Sequence, residues 1–257
     1  MGFSSDWLAL REPSDHAARD TALLRRAVNE AGAKPVILDL GCGTGSTVRA
    51  LDALLPKNRQ WRLVDNDLGL LQLAGKAAGD SATLHQLDLD DIDSLPLAGV
   101  TLVTASALID LVSRQWLAKL ASSLSVPVYL ALSYDGEMNW QPEHPLDKAV
   151  TAAFNSHQRS DKGFGPALGP DSVEVASEVF RAHGFEVLVA QSPWRLASAE
   201  AELQKELVAG ITQAVIEFGA QDAELWGRER TAVAGQTLCQ IGHGDLLAIP
   251  ELKSERS

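Results

Sequence analysis

Three glycines at alternate positions, Gly41, Gly43 and Gly45, follow the apolar run Val36-Ile37-Leu38 and the carboxylate Asp39 in the stretch VILDLGCGTGSTV. A short apolar run ending in a glycine-rich turn predicts a buried parallel strand that hands over to a helix. Glycine permits unusual φ and lets the backbone approach a ligand closely. The helix expected from Ser46 points its free N–H groups back at the same spot, so the turn is a cradle for a bound ligand. A second carboxylate, Asp65, closes the run Trp61-Arg62-Leu63-Val64 and is followed by Asn66. An acid at the end of a second strand, about twenty residues past such glycines, can accept hydrogen bonds from both ribose hydroxyls. The dinucleotide fingerprint is G-x-G-x-x-G, and here Ser46 stands where its last glycine would be.

Alternating strands and helices are expected to position these groups. Apolar runs predict strands at Thr83–Leu87, Val100–Thr104, Pro127–Leu132, Phe185–Ala190 and Leu246–Ile249, the last antiparallel to its predecessor. Helices are expected at Ala17–Ala27, Ser46–Leu55, Leu68–Ala78 with Asp67 as N-cap, Trp116–Leu124 and Ser172–His183. The pattern implies an α/β fold: a doubly wound, mostly parallel, seven-stranded Rossmann-like sheet. Helical insertions are expected after strand 5 (133–170) and between strands 6 and 7 (192–235). In the second insertion, Leu203, Leu207, Ile211, Val215 and Phe218 form one apolar stripe over Ser198–Glu217, with another helix near Asp222–Ala234. It either covers a site or forms a dimer surface.

Asp39 two positions before the first glycine, with the G-x-G-x-G spacing, resembles motif I of the class I S-adenosylmethionine (SAM)-dependent methyltransferases. The resemblance covers Val36 to about Leu132 and implies SAM as cofactor. It implies cofactor contacts from Asp39, Gly41, Gly43, Gly45, Asp65 and Asn66, with Asp88 facing the adenine amino group and Leu89 against the ring. It places the end of the fourth strand, at Ser106, beside the methyl group. Residues 1–34 become a helical lid in which Trp7, His16 and Arg19 are candidate cofactor contacts, and 35–257 become the SAM-binding domain. Methyl transfer is an in-line displacement that needs positioning above all, and a general base only where the acceptor carries a proton. Tyr134, Asp135, Glu137, Trp140, His157 and Arg159 gather after the fifth strand as a candidate acceptor pocket, with Tyr134 and His157 as the catalytic pair. Lys162 is a further carboxylate-binding candidate. The bland reading of that set is a surface helix and a polar loop.

Of 257 residues 46% are hydrophobic, enough for a substantial core, and the net charge is −12. Such acidity disfavours contact with nucleic-acid phosphates and anionic membranes. The chain also lacks the Asn/Asp-Pro-Pro-aromatic sequence of base-modifying amino-methyltransferases and a Pro-Cys nucleophile. A small-molecule acceptor is therefore expected, with no nucleic acid, no membrane and a possible homodimer. Cys42 and Cys239 form neither a metal-ligand spacing nor a disulfide framework, so no metal and a reduced, cytoplasmic setting are expected. Trp7–Leu10 is too short for a signal peptide. Rival readings are a non-catalytic SAM-binding partner protein, an NAD-dependent oxidoreductase and an RNA methyltransferase.

Overall fold

A computed structural model describes residues 4–220 and 222–251. Its strands are β1 (Val36–Leu40), β2 (Gln60–Asp65), β3 (Ala82–Gln86), β4 (Leu102–Ser106), β5 (Val128–Gln141), β6 (Phe185–Gln191), β7 (Trp194–Leu196) and β8 (Leu238–Pro250). Its α-helices are α1 (Ser5–Ala18), α2 (Thr21–Glu30), α3 (Ser46–Leu51), α4 (Leu68–Ala78), α5 (Arg114–Ser123), α6 (Asp147–Gln158), α7 (Ser172–Ala182), α8 (Ala201–Glu217) and α9 (Ala223–Ala232). The sheet order is β3-β2-β1-β4-β5-β8-β6, with β7 also paired to β8. Pairings from β3 through β5 are parallel, and β8 runs antiparallel to both β5 and β6. Among the described residues no helix is long and apolar enough to cross a membrane.

Strand periodicity divides the core between the two faces of the sheet. Leu38, Leu40, Val103 and Val128 pack with Trp116, Leu117 and Phe180 under α5 and α7. Ile37, Leu63, Leu102 and Tyr129 point the other way, onto Leu23, Leu24, Val48 and Leu71 of α2, α3 and α4. Asp39 falls in the second phase, opposite Thr104 in the β1–β4 register. A carboxylate is thereby buried on an otherwise apolar face.

Three features depart from the expected elements. The helix expected across Ala17–Ala27 is broken at Arg19-Asp20, because Asp20 caps α2 by accepting from the Leu23 N–H at 2.7 Å. The polar segment before it is itself the helix α1. The fifth strand does not stop at Leu132: β5 continues to Gln141 beside β8, which starts at Leu238 rather than Leu246. Register shifts after Leu130 and Tyr134 break the two-residue alternation that would have revealed it. At the first shift Leu132 takes φ +56°, and its N–H donates to Asp245 Oδ1 at 2.9 Å. Asp245 also accepts from the Tyr129 hydroxyl at 2.8 Å and from the Asp20 N–H at 3.1 Å. This buried carboxylate therefore ties α2, β5 and β8 together.

The extended β5–β8 ladder, with β7, α1, α6, α8 and α9, forms a third core around Trp140, Trp194, Val208, Ile211 and Trp226. The second insertion is thus a structural layer of that core. Its stripe is shifted from the expected one: Val208 is buried and Phe218 is 53% exposed.

Candidate active site

A cleft of about 210 Å³ opens at the carboxyl ends of β1, β2 and β4, where open α/β sheets bind ligands. Gly41, Gly43, Asp65, Asn66, Asp88, Leu89 and Ser106 all line it. Gly45 does not; it is the left-handed N-cap of α3 at φ +88°, and a Cβ there would lie 3.0 Å from the Ala74 backbone. Asp65 Oδ2 accepts from the Gly43 N–H at 2.8 Å, and its Oδ1 from the Asp67 N–H at 3.0 Å. The carboxylate thus holds the glycine turn while standing in the cleft wall. Leu89 is buried, and its carbonyl accepts from the Trp116 indole at 2.7 Å. Asp88 Oδ1 accepts from the Asp90 N–H at 3.1 Å.

Behind Ser106 and Thr47 stand two opposite charges. Arg19 is 4% exposed and donates from Nη2 to Ser106 Oγ at 2.7 Å. Its Nε and Nη1 have no partner among the described residues. Asp39 is 1% exposed; its Oδ1 accepts from the Thr104 hydroxyl at 2.7 Å, and its Oδ2 has no partner among the described residues. Burial pushes the Asp39 carboxyl up to about 7, although the Thr104 hydroxyl and the Arg19 charge pull it down. Unsatisfied buried donors and acceptors are costly. A ligand bearing both an ammonium and a carboxylate would satisfy both, and so would the amino-acid end of SAM.

The acceptor residues read from sequence do not converge on this cleft, and that expectation is corrected. Tyr134 is buried in the third core, its hydroxyl donating to Asn155 Oδ1 at 2.7 Å. Trp140 packs edge-on against Trp226, with the Arg230 guanidinium 5.3 Å from its ring. Asp135 accepts from the Glu137 N–H at the second bulge, and the Glu137 side chain is exposed. His157 ends α6, with Nε2 3.7 Å from Glu217 of α8 and its carbonyl accepting from Lys162. Arg159 forms an exposed ion pair with Asp171 at 2.9 Å. The physical reason is the continuation of β5, which carries this segment into the third core instead of releasing it at the sheet edge. Phe164 is the residue of 133–170 that reaches the cleft wall.

Other residues line or back the cleft. Leu8, Arg11 and Asp15 of α1 line the cleft opposite Leu108 and Leu111. Arg11 grips Asp15 with Nε and Nη2 at 2.9 and 3.1 Å. The Trp194 indole donates to Asp15 at 2.9 Å, with the Arg11 guanidinium 4.9 Å from its ring. His243 lies 5.1 Å from Trp194, centroid to centroid, and burial holds its imidazole down at about 3. Asp110 is 8% exposed, and its Oδ1 is unpartnered among the described residues. Burial raises its carboxyl to about 6, with Arg11 pulling the other way. Asp110 had a visible signal, as the lone charge in the apolar run Ala105–Val112. Arg11 and Asp15 had one in their i,i+4 spacing. The other lid candidates sit aside: Trp7 meets Trp194 edge-on, and His16 Nε2 lies 3.1 Å from the Ser46 carbonyl.

Residues 37–126 match a family model described as a methyltransferase domain. A search of curated protein sequences returned no match. Solved structures give the fold. The YcgJ protein of Bacillus subtilis aligns with a TM-score of 0.53 and 15% identity, over 91% of this chain and 100% of its own. The cyclopropane synthase MmaA2 of Mycobacterium tuberculosis aligns with a TM-score of 0.52 and 14% identity, over 96% and 94%. A geranyl diphosphate C-methyltransferase of Streptomyces coelicolor, solved with Mg²⁺, geranyl diphosphate and S-adenosylhomocysteine, gives 0.51 and 15%, over 90% and 77%. Residues 37–126 thus match a methyltransferase domain, and the chain shares the fold of these solved structures.

Proposed function

We propose that the chain binds SAM in this cleft and transfers its methyl group to a small-molecule acceptor. The observation that carries the reading is the buried pair behind Ser106: a guanidinium with two unpartnered nitrogens and a carboxylate with one unpartnered oxygen. Arg19 receives the carboxylate of the cofactor and Asp39 its ammonium, so each buried charge acquires the partner that it lacks. The Gly41 and Gly43 backbone admits the cofactor closely. Asp65 retains lone pairs for the ribose hydroxyls, Asn66 flanks them, and Leu89 offers an apolar side chain to the adenine beside Asp88. SAM supplies a methyl group already activated on a sulfonium. The protein's share is alignment and the exclusion of water, to which Leu8, Leu108, Leu111 and Phe164 contribute.

A dinucleotide has no amino-acid end for Arg19 and Asp39, which disfavours the oxidoreductase reading. The cleft is small, with Leu8 of α1 and Leu108 and Leu111 after β4 in its wall, which favours a small acceptor over a macromolecule. Calorimetric titration with SAM, S-adenosylhomocysteine and NAD(H) tests the reading. Micromolar binding of the first two is expected, with Arg19→Ala weakening it by tenfold or more. Binding of NAD(H) alone would overturn it.

A further inference from the structure

Behind the Leu108 and Leu111 wall of the cleft, within electrostatic reach of Arg11, stands a carboxylate with no ion pair among the described residues. Arg11 directs two nitrogens to Asp15, so those charges are paired with each other. His243 is buried and uncharged near neutrality. Asp110 remains, nine-tenths buried, with one oxygen unpartnered and no ion pair among the described residues. It follows the carboxyl end of β4 by four residues, between Leu108 and Leu111 of the cleft wall. Leu108 itself packs beside Gly41, with its Cδ1 3.7 Å from where a Cβ there would lie. A carboxylate so placed repels an acceptor bearing a carboxylate or phosphate and favours a cationic one. The surrounding Leu8, Leu108, Leu111 and Phe164 suit a carbon skeleton rather than a sugar.

Building on the SAM reading of this cleft, we propose that the acceptor is an amine and that Asp110 holds its nitrogen and removes its proton. An N–H bond breaks and the proton passes to the Asp110 carboxylate. The nitrogen lone pair then forms the bond to the methyl carbon, and the C–S electron pair returns to sulfur, leaving a thioether. The carboxyl, raised to about 6, is ionised at neutral pH and is a competent base there. The groups near enough to perturb it are Arg11 on α1 and Tyr134 on β5. Burial pushes the Tyr134 hydroxyl above its usual range, so it does not titrate between pH 5 and 8.

The test starts from the full-length protein saturated with S-adenosylhomocysteine. Calorimetry then compares a panel of small aliphatic and aromatic amines with isosteric alcohols, carboxylates and phosphate esters. Amines are expected to bind preferentially, and Asp110→Asn to weaken them by tenfold or more while leaving S-adenosylhomocysteine affinity within twofold. With the best amine and saturating SAM, kcat is expected to fall below pH 6 in the native protein. Asp110→Asn is expected to be slower by a hundredfold or more and to lose that acid limb. Preference for anionic acceptors, absence of any preference for amines, or an Asp110→Asn protein with native affinity and pH profile would overturn the proposal. Failure of S-adenosylhomocysteine itself to bind would be read in the first titration and would overturn the cofactor assignment beneath it.

Discussion

On the proposed cofactor placement, the buried Asp39 carboxylate makes stability and SAM binding oppose each other, and pH separates the two. Its carboxyl is raised from 3.8 to about 7 by burial. A rise of roughly three units corresponds to about 4 kcal/mol of disfavour for the ionised form, as an upper bound. The folded chain therefore holds a proton that the unfolded chain has released. Its contribution to stability is fully present below about pH 4 and is lost as pH rises through about 7. Asp39→Asn removes the cost. At pH 8 the ligand-free variant should be more stable than the native protein by up to ~4 kcal/mol, a rise in Tm of at most roughly 8–16 °C for a chain of this size. The advantage should vanish near pH 4. SAM binding runs the other way. The ammonium needs the ionised carboxylate, so native affinity should drop about tenfold per pH unit below 7, and Asp39→Asn should bind weakly with little pH dependence. Scanning calorimetry at pH 4.5 and 8, with titrations in buffers of different ionisation heat, measures both. An Asp39→Asn protein that is less stable at pH 8, or that binds SAM as the native protein does, would refute the reasoning.

Four further outcomes follow from particular contacts. Gly45→Ala places a Cβ 3.0 Å from the Ala74 backbone at φ +88°, and should cost about 1–3 kcal/mol in denaturant unfolding through strain and overpacking. Asp245→Ala strips three donors of their shared buried acceptor; a loss of ~3–5 kcal/mol, or failure to accumulate folded protein, is expected. Tyr134→Phe should cost about 1 kcal/mol of stability through its bond to Asn155. His157→Ala should leave SAM affinity unchanged, and a hundredfold loss of turnover in that variant would return His157 to the active site.

Much of the sheet was legible because its signals are local. Buried parallel strands are short apolar runs, so β1, β2, β3 and β4 were recognisable within about two residues. The glycine turn and the Asp67 cap depend on residue types at fixed offsets, and these too can be read in one dimension. The cofactor half of the site inherits that legibility, since Gly41, Gly43, Asp65, Asp88 and Ser106 each sit at the end of a strand. The bulged continuation of β5 was not legible. Two register shifts destroy the alternation, and the strand is held by Asp245, more than a hundred residues away in the chain. The non-local β5–β8 pairing places Tyr134 and Trp140 in a third core, away from the cleft at the ends of β1, β2 and β4.

By itself the sequence determined a doubly wound sheet with a ligand cradle after its first strand, because hydrophobic period and turn chemistry act between near neighbours. Only the tertiary structure decided what stands around the cradle. Arg19 acquires meaning because the Asp20 cap ends α1 and leaves the guanidinium beside Ser106, and Asp39 because β1 pairs with β4 and buries it against Thr104. Arg11 in the cleft wall, and Asp110 and His243 within electrostatic reach of it, come from α1, the segment after β4, and β8. Burial and charge at such a meeting point are set by how distant segments pack, and no spacing along the chain encodes them.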